Sequence, residues 1–262
     1  MTIEFPRNTA RADGTVSGRC LVELMESMMQ SNPVDGAIAA ALADFSIETG
    51  DGPDLVGEAR RLRFQVDREN GRWPLLRYPE TDDFDCRSSH VLLRLRRDGT
   101  PVATARLVSA DPCAPEDCFP LQRVCGANFL RRLPLATVGE ISRFAVSREA
   151  MTANRAAHPL VRLGLFRGLV RLSGELSLTH WCALFEPGLV RLLRATGLRF
   201  EEAGPSVDGM RQPLFARLET FLGGVRRGQP AIWDYLTDSG KLWDCPAATV
   251  SILADARASA PA

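Results

Sequence analysis

Residues 90–110 read HVLLRLRRDGTPVATARLVSA, two β-rich runs on either side of Asp98-Gly99. An Asp-Gly pair between such runs signals a hairpin, because glycine enters positive φ at no steric cost. Upstream, apolar residues run through AIAAALADFSIET (37–49), whose end reads as a first strand. Asp51-Gly52-Pro53-Asp54 then breaks the chain and starts a helix over about 54–68. Downstream, the pattern predicts a strand over 136–147 (ATVGEISRFAVS), a helix over about 155–176, a short buried strand over 181–186 (WCALFE), a helix over 187–196 and a strand over 198–204 (LRFEEAG). A further helix is expected around 213–227, followed by a polar tail holding Trp233 and Trp243. Residues 111–135, rich in Cys and Pro, read as irregular. Near the start, Leu21, Leu24, Met25, Met28 and Met29 recur at helical spacing and predict an amphipathic helix over about 18–30. This order predicts an α/β sandwich with a mixed sheet. The expected organisation is an N-terminal segment over 1–34, a catalytic domain over 35–205 and a C-terminal helical extension over 206–262 packed on the same domain.

Bulk properties narrow the function. With 45% hydrophobic and 24% charged residues in 262, the chain can bury a sizeable core. Its formal net charge of zero disfavours a non-specific grip on nucleic acid. Lys241 is the one lysine and lies in a polar stretch, so a lysine Schiff base is not expected. The seven cysteines (Cys20, Cys86, Cys113, Cys118, Cys125, Cys182 and Cys245) form no C-x-x-C pair, so neither a zinc site nor a disulfide framework is expected. No apolar run approaches the roughly 20 residues a membrane span needs, and the first residues lack a signal-peptide pattern. A cytoplasmic setting is expected, with weak association at a membrane surface left open.

Four short motifs carry chemistry: Arg60-x-x-x-Phe64, Glu80-x-Asp82-x-x-Asp85, Arg106 in VATARLV, and Glu140-x-Ser142-Arg143-Phe144. In this order and spacing they resemble the signature of the acyl-homoserine-lactone synthases. Over most of the chain the sequence also resembles the exosortase (PEP-CTERM) system-associated acyltransferases, relatives of the N-acyl amino acid synthases. That likeness rests on SRFAVS (142–147), Gly209-Met210-Arg211-Gln212-Pro213, Trp233-Asp234 and Thr237-Asp238-Ser239-Gly240. Asp208 stands where those relatives usually carry a histidine, and Trp73 lies nine residues after Phe64, farther than in the lactone synthases.

The resemblance implies a GNAT-type fold and acyl transfer from a phosphopantetheine thioester, on an acyl carrier protein or coenzyme A, to an amine. It implies no permanently bound cofactor and no metal. The acceptor would be an amino acid or, as the alternative, S-adenosylmethionine; a non-catalytic acyl-binding module is a third reading. Glu140, Ser142 and Arg143 would form the catalytic centre, with Arg60, Phe64, Trp73, Asp82, Asp85, Arg106, Phe144, Val146 and Arg211 around the substrates.

The chemistry suits these residues. Attack on a thioester needs a neutral amine, and a half-buried carboxylate such as Glu140 can take its proton; the alternative is that Glu140 merely pairs with an arginine. Main-chain N–H groups near Phe144 to Val146 would meet the thioester oxygen. Asp82, Asp85, Arg106 and Arg143 read as an ion-pair network, either structural or holding the acceptor carboxylate. Leu163, Leu165, Phe166, Leu169 and Leu172 would either line an acyl tunnel or fill the core. Arg155, Arg162, Arg167 and Arg171 would either face an acidic carrier protein or simply solvent. His180 and Cys182 point to one face, but no third group completes a nucleophilic pair.

Overall fold

In the computed structural model, residues 42–71, 81–111, 117–125, 134–152 and 160–243 are described. The expected helix over 18–30, Trp73 and Glu80 lie outside them. A seven-stranded mixed sheet runs in the order β1-β2-β3-β4-β5-β7-β6. Its strands are β1 (Phe45–Gly50), β2 (Ser88–Leu95), β3 (Pro101–Ser109), β4 (Val138–Val146), β5 (His180–Phe185), β6 (Glu201–Glu202) and β7 (Gln212–Arg217). Only β4 and β5 pair in parallel, and β2 and β3 form the expected hairpin, with Gly99 at φ 72° in its turn.

Among the described residues six helices accompany the sheet: α1 (Pro53–Glu69), α2 (Pro120–Cys125), α3 (Val161–Glu175), α4 (Pro187–Ala195), α5 (Leu218–Gly228) and α6 (Pro230–Thr237). Helix α1 starts at Pro53, whose missing N–H costs nothing in a first turn, with Asp54 beside it complementing the helix dipole. It buries Val56, Ala59, Leu62, Arg63 and Val66, the stripe that faces β2, β3 and β4. Helix α3 packs on β1, β2 and β3 from the opposite side, making an α/β/α sandwich.

The two faces differ in chemistry. Toward α3 point Val91, Leu93, Ala103, Ala105, Leu107 and Ile141, all fully buried in the main core. Toward α1 lie His90, Leu92, Thr104, Arg106 and Glu140, also buried but mostly polar. Glycines let α3 approach closely: a Cβ at Gly168 would lie 2.3 Å from Val91 Cγ1, and one at Gly164 would lie 2.5 Å from Leu93 Cδ2. Six aromatic rings (Phe144, Phe166, Trp181, Phe185, Phe200 and Phe221) continue this core, in contacts with centroids 5.1–6.2 Å apart.

Four expectations need correction. Residues 213–217, expected within a helix, belong to β7, which lies between β5 and β6. Pro213 argues against a sheet strand on sequence grounds, yet it sits one residue into β7 opposite Leu184. The helix begins at Leu218, immediately after the strand. The strand expected over 198–204 contracts to exposed Glu201–Glu202 at the sheet edge. The polar tail folds instead as α6, whose Ile232, Leu236 and Thr237 are buried and which packs on α3. Within the stretch expected to be irregular, Pro120–Cys125 forms a helix. The sheet thus draws a strand from beyond residue 205.

Replacing Gly168 with alanine should lower stability by roughly 1–3 kcal/mol through overpacking against Val91, despite the better helix propensity of alanine. Thermal unfolding measures it, with Gly188→Ala, where a Cβ meets nothing within 4 Å, as the control.

Candidate active site

Two irregularities in β4 create the site. The β3–β4 register pairs Thr104 with Ala145 but Arg106 with Ser142, so β4 carries one extra residue. Arg143 holds this bulge at φ 53°, a left-handed conformation costing a branched-chain-sized residue about 1–3 kcal/mol. The extra residue inverts the alternation. Ile141 faces α3, and beyond the bulge Phe144 and Val146 pack on that same core while Ala145 packs with Leu62, Val66 and Leu92. At the same point β4 leaves β5: their pairing runs from Val138↔His180 to Ile141↔Ala183 and goes no further. A cavity of about 960 Å³ opens where they part.

One wall of that cavity is the free half of β4, Ser142 to Val146, and the facing wall is Leu184 and Phe185 with Leu189 and Leu192 of α4. Arg63, Val66 and Asp67 of α1 contribute, as do Asp82, Arg106, Leu121, Val124, Glu140, Arg148, Arg162 and Arg211. Among the site residues expected from sequence, Glu140, Ser142, Arg143, Phe144, Val146, Asp82, Arg106 and Arg211 come together here. Arg60, Phe64 and Asp85 do not line it. Arg60 instead supports the site through an ion pair with Asp85 at 3.2 Å.

Arg106 organises the polar wall. Its side chain is 1% exposed; Nη1 donates to Asp82 Oδ1 at 2.6 Å and to Asp85 Oδ1 at 2.8 Å, and Nε donates to Ser142 Oγ at 3.1 Å. Arg143 reaches the other oxygen of Asp82 at 3.0 Å, and Arg63 lies 3.7 Å from Asp85 Oδ2. Burial pushes the Asp82 carboxyl up, but the bonds and charges of Arg106 and Arg143 outweigh it and hold the group at about 2. Asp85 is lowered in the same way, burial opposing and Arg106 and Arg63 prevailing. The expected network therefore exists: Nε and Nη1 of Arg106 are engaged by the protein, while Arg143 and Arg211 line the cavity with more exposure.

Glu140 behaves differently. It is 2% exposed, and its Oε2 accepts the N–H of Leu121 at 2.8 Å. Among the described residues it has no ion pair within 4 Å; Arg106 and Arg143 pair instead with Asp82 and Asp85. Burial raises its pKa to about 8, against smaller lowering by the Leu121 N–H and by Arg106 and Arg143. Ser142 accepts from Arg106, which leaves its own O–H free to turn toward the cavity.

The structure chooses between several open readings. Leu163, Leu165, Phe166, Leu169 and Leu172 fill the core, and none lines the cavity; its apolar wall comes from β4, β5 and α4. The arginine stripe of α3 is not a free basic face. Arg167 bonds Tyr235 O and Asp238, Arg171 pairs with Glu175, and Arg162 lines the cavity; Arg155 lies outside the described residues. The Cys182 thiol is buried and pushed well up, and His180 bonds Thr179 and stacks on Phe215, so no nucleophilic pair is poised.

Sequence reasoning missed Arg63 and His90. Arg63 is a buried cation within the R-x-x-x-F motif, one residue from the solvent-facing edge of the helix stripe. His90 pairs across the hairpin with Arg106, is fully buried, and neither ring nitrogen has a hydrogen-bond partner among the described residues. Burial, then the charge of Arg63, lowers its pKa to about 4.

No protein-family model and no curated protein matches the sequence. Among solved structures, TofI in a ternary complex with an inhibitor and MTA superposes with a TM-score of 0.51 at 20% identity, over 72% of this chain and 99% of that one. FeeM, an N-acyl amino acid synthase from uncultured soil microbes, gives 0.49 at 13% identity over 69% and 94%. BjaI, a CoA-dependent acyl-homoserine lactone synthase with SAM and isopentyl-CoA, gives 0.49 at 21% over 70% and 89%.

The buried groups make stability pH-dependent with a definite sign. His90 has a folded pKa below its unfolded 6.5, so its contribution is complete above pH 6.5 and disappears as pH falls toward 4. Asp82, lowered from 3.8 to about 2, adds a second loss between those values. His90→Leu should flatten the pH 6.5–4 part of the unfolding curve, on the order of 3 kcal/mol, and leave the lower part. Denaturant unfolding at stepped pH checks this. The two chief outcomes differ in shape: a parallel shift would deny His90 the role. Removing Arg106, by Arg106→Met, should cost about 3–5 kcal/mol at pH 7 because two buried carboxylates lose their partner.

In keeping with these arrangements, the chain has a GNAT-like α/β fold, a mixed sheet flanked by helices.

Proposed function

We propose that this protein is an N-acyltransferase that moves a fatty acyl group from a phosphopantetheine thioester to the amine of an amino acid. The observation that carries the reading is Glu140: a buried carboxyl that has no ion pair among the described residues, on the wall of the cavity where β4 and β5 part. With Oε2 held by Leu121, Oε1 remains to receive a proton. A pKa of about 8 leaves roughly a tenth of the groups ionised at pH 7 and makes the carboxylate a better base than an ordinary glutamate.

In this reading the thioester arm lies along the free half of β4, whose edge β5 no longer pairs. The amine attacks the carbonyl carbon, and main-chain N–H groups near Phe144 to Val146, with the Ser142 hydroxyl, meet the developing oxyanion. The C–N bond forms, the C–S bond breaks, and the proton lost from nitrogen passes through Glu140 to the departing sulfur. Arg211, whose one ion pair among the described residues is with exposed Asp208, offers a guanidinium to the acceptor's carboxylate. Arg143, beside it on the cavity wall, assists while tied to Asp82. The acyl chain takes the apolar side formed by Phe144, Val146, Leu184, Phe185, Leu189 and Leu192, at about 0.8 kcal/mol per buried methylene. An acyl carrier protein or coenzyme A would present the arm; no permanent cofactor is required by this scheme.

Mass spectrometry of lipid extracts from a host expressing the protein, beside its Glu140→Gln variant, tests the reading. The expected result is a new N-acyl amino acid that falls at least about a hundredfold in the variant. An acyl-homoserine lactone would instead make S-adenosylmethionine the amine donor. Equal product from the variant would remove Glu140 as the base, and binding of acyl donor without any product would favour a non-catalytic module.

A further inference from the structure

The free half of β4 needs an anchor, since β5 no longer holds its inner edge beyond Ile141. Its last tie to β3 is the Ser147 N–H, which donates to Val102 O at 2.9 Å. Immediately beyond, one carboxylate collects the chain. Glu69 Oε1 accepts the hydroxyl of fully buried Ser147 at 2.6 Å, and Oε2 accepts the main-chain N–H of Arg148 at 2.8 Å. Gln65 Nε2 donates to the same Oε1 at 3.0 Å and reaches Ser147 Oγ at 3.3 Å, while Ser147 Oγ accepts the Ala150 N–H at 3.0 Å.

Glu69 closes α1, and the last turns of that helix supply Arg63, Val66, Asp67 and Asn70 to the cavity wall. Arg148 lines the same cavity. Glu69, with Gln65 beside it, therefore joins the helical wall to the end of the strand half that β5 no longer pairs. Charged acceptors make hydrogen bonds about twice as strong as neutral ones, and here both oxygens are engaged. We infer that Glu69 is a positioning residue that fixes the free half of β4 against α1 and so sets the width of the cleft into which the acyl donor is laid. The consequence for catalysis rests on the acyltransfer reading above; the placement of the strand does not.

The Glu69→Gln variant keeps the volume and one acceptor but turns an amide N–H toward a donor. Two measurements on the full chain separate the possibilities. Amide exchange followed by mass spectrometry should rise about tenfold over Phe144–Arg148, with β2 and α3 unchanged. The KM for an acyl-pantetheine thioester should rise about tenfold with kcat within about twofold, because Glu140 and Ser142 are untouched. Exchange confined to Ser147 and Arg148, or a lower melting temperature with donor KM unchanged, would overturn the inference and leave Glu69 a structural cap. Should the variant fail to fold, Ser147→Ala removes one of the three donors and should raise donor KM severalfold; an unchanged KM there overturns it equally. A wild type that transfers no acyl group defeats the acyltransfer reading by itself, and the exchange measurement still decides the role of Glu69.

Discussion

The guanidinium of Arg106, sealed inside the sheet beneath the loop over 81–87, is the charge around which the polar face of the molecule is arranged. Burying it costs several kcal/mol before any partner is counted. Two carboxylates and a serine offset that cost, and each partner is thereby fixed: Asp82 and Asp85 hold the loop, and Ser142 holds β4. The carboxylates are in turn tied down by main-chain bonds, Asp82 N–H to Asp85 and Phe84 N–H to Asp82. Arg60 and Arg63 of α1 and Arg143 of β4 complete a cluster that connects three elements through side chains alone. Such a cluster specifies geometry more than it adds stability. It favours one placement of the acidic loop, and that placement forms part of the cavity's polar wall.

Against this fixed wall, a single extra residue in β4 does the rest. Without the bulge at Arg143, Phe144 and Val146 would share a face with Glu140 and Ser142. With it they turn to the α3 side, where Phe144 joins Phe166 and Phe185. Polar chemistry and apolar surface thus end up on adjacent stretches of one strand, at the place where β5 diverges. A substrate with a polar reacting end and a long apolar tail fits that division. Among the described residues Glu140 has no ion pair, because Arg106 is engaged by Asp82 and Asp85 and Arg143 by Asp82.

Much of this was legible in the residues. The Asp98-Gly99 hairpin, the Gly52-Pro53 helix start and the strand through GEISRFAV all stand where the patterns put them. So did the grouping of Asp82, Arg106, Ser142, Arg143 and Glu140, because spaced charges in otherwise apolar strands have few partners available. What sequence could not yield depends on contacts without a local signal. Strand β7 contains Pro213 and then runs through Leu214, Phe215 and Ala216 without a polar residue, so it shows no alternation of polar and apolar residues. The leucines of α3 could be read either as tunnel or as core; Gly164 and Gly168 press that helix so close to Leu93 and Val91 that its leucines go to the core. His90 and Glu69 look ordinary in sequence. Their surroundings are assembled from α1, β2, β3 and the end of β4, and only the folded chain brings these together.

The central claim is that Glu140 is a carboxyl kept protonated until well above the usual range, so that it can exchange a proton with an amine near neutral pH. Carbon-13 NMR of side-chain-labelled glutamate, with Glu140→Gln used to assign the resonance, measures this directly. The account predicts a midpoint near 8 for Glu140. A midpoint near 4.5, that of an ordinary glutamate, would contradict it.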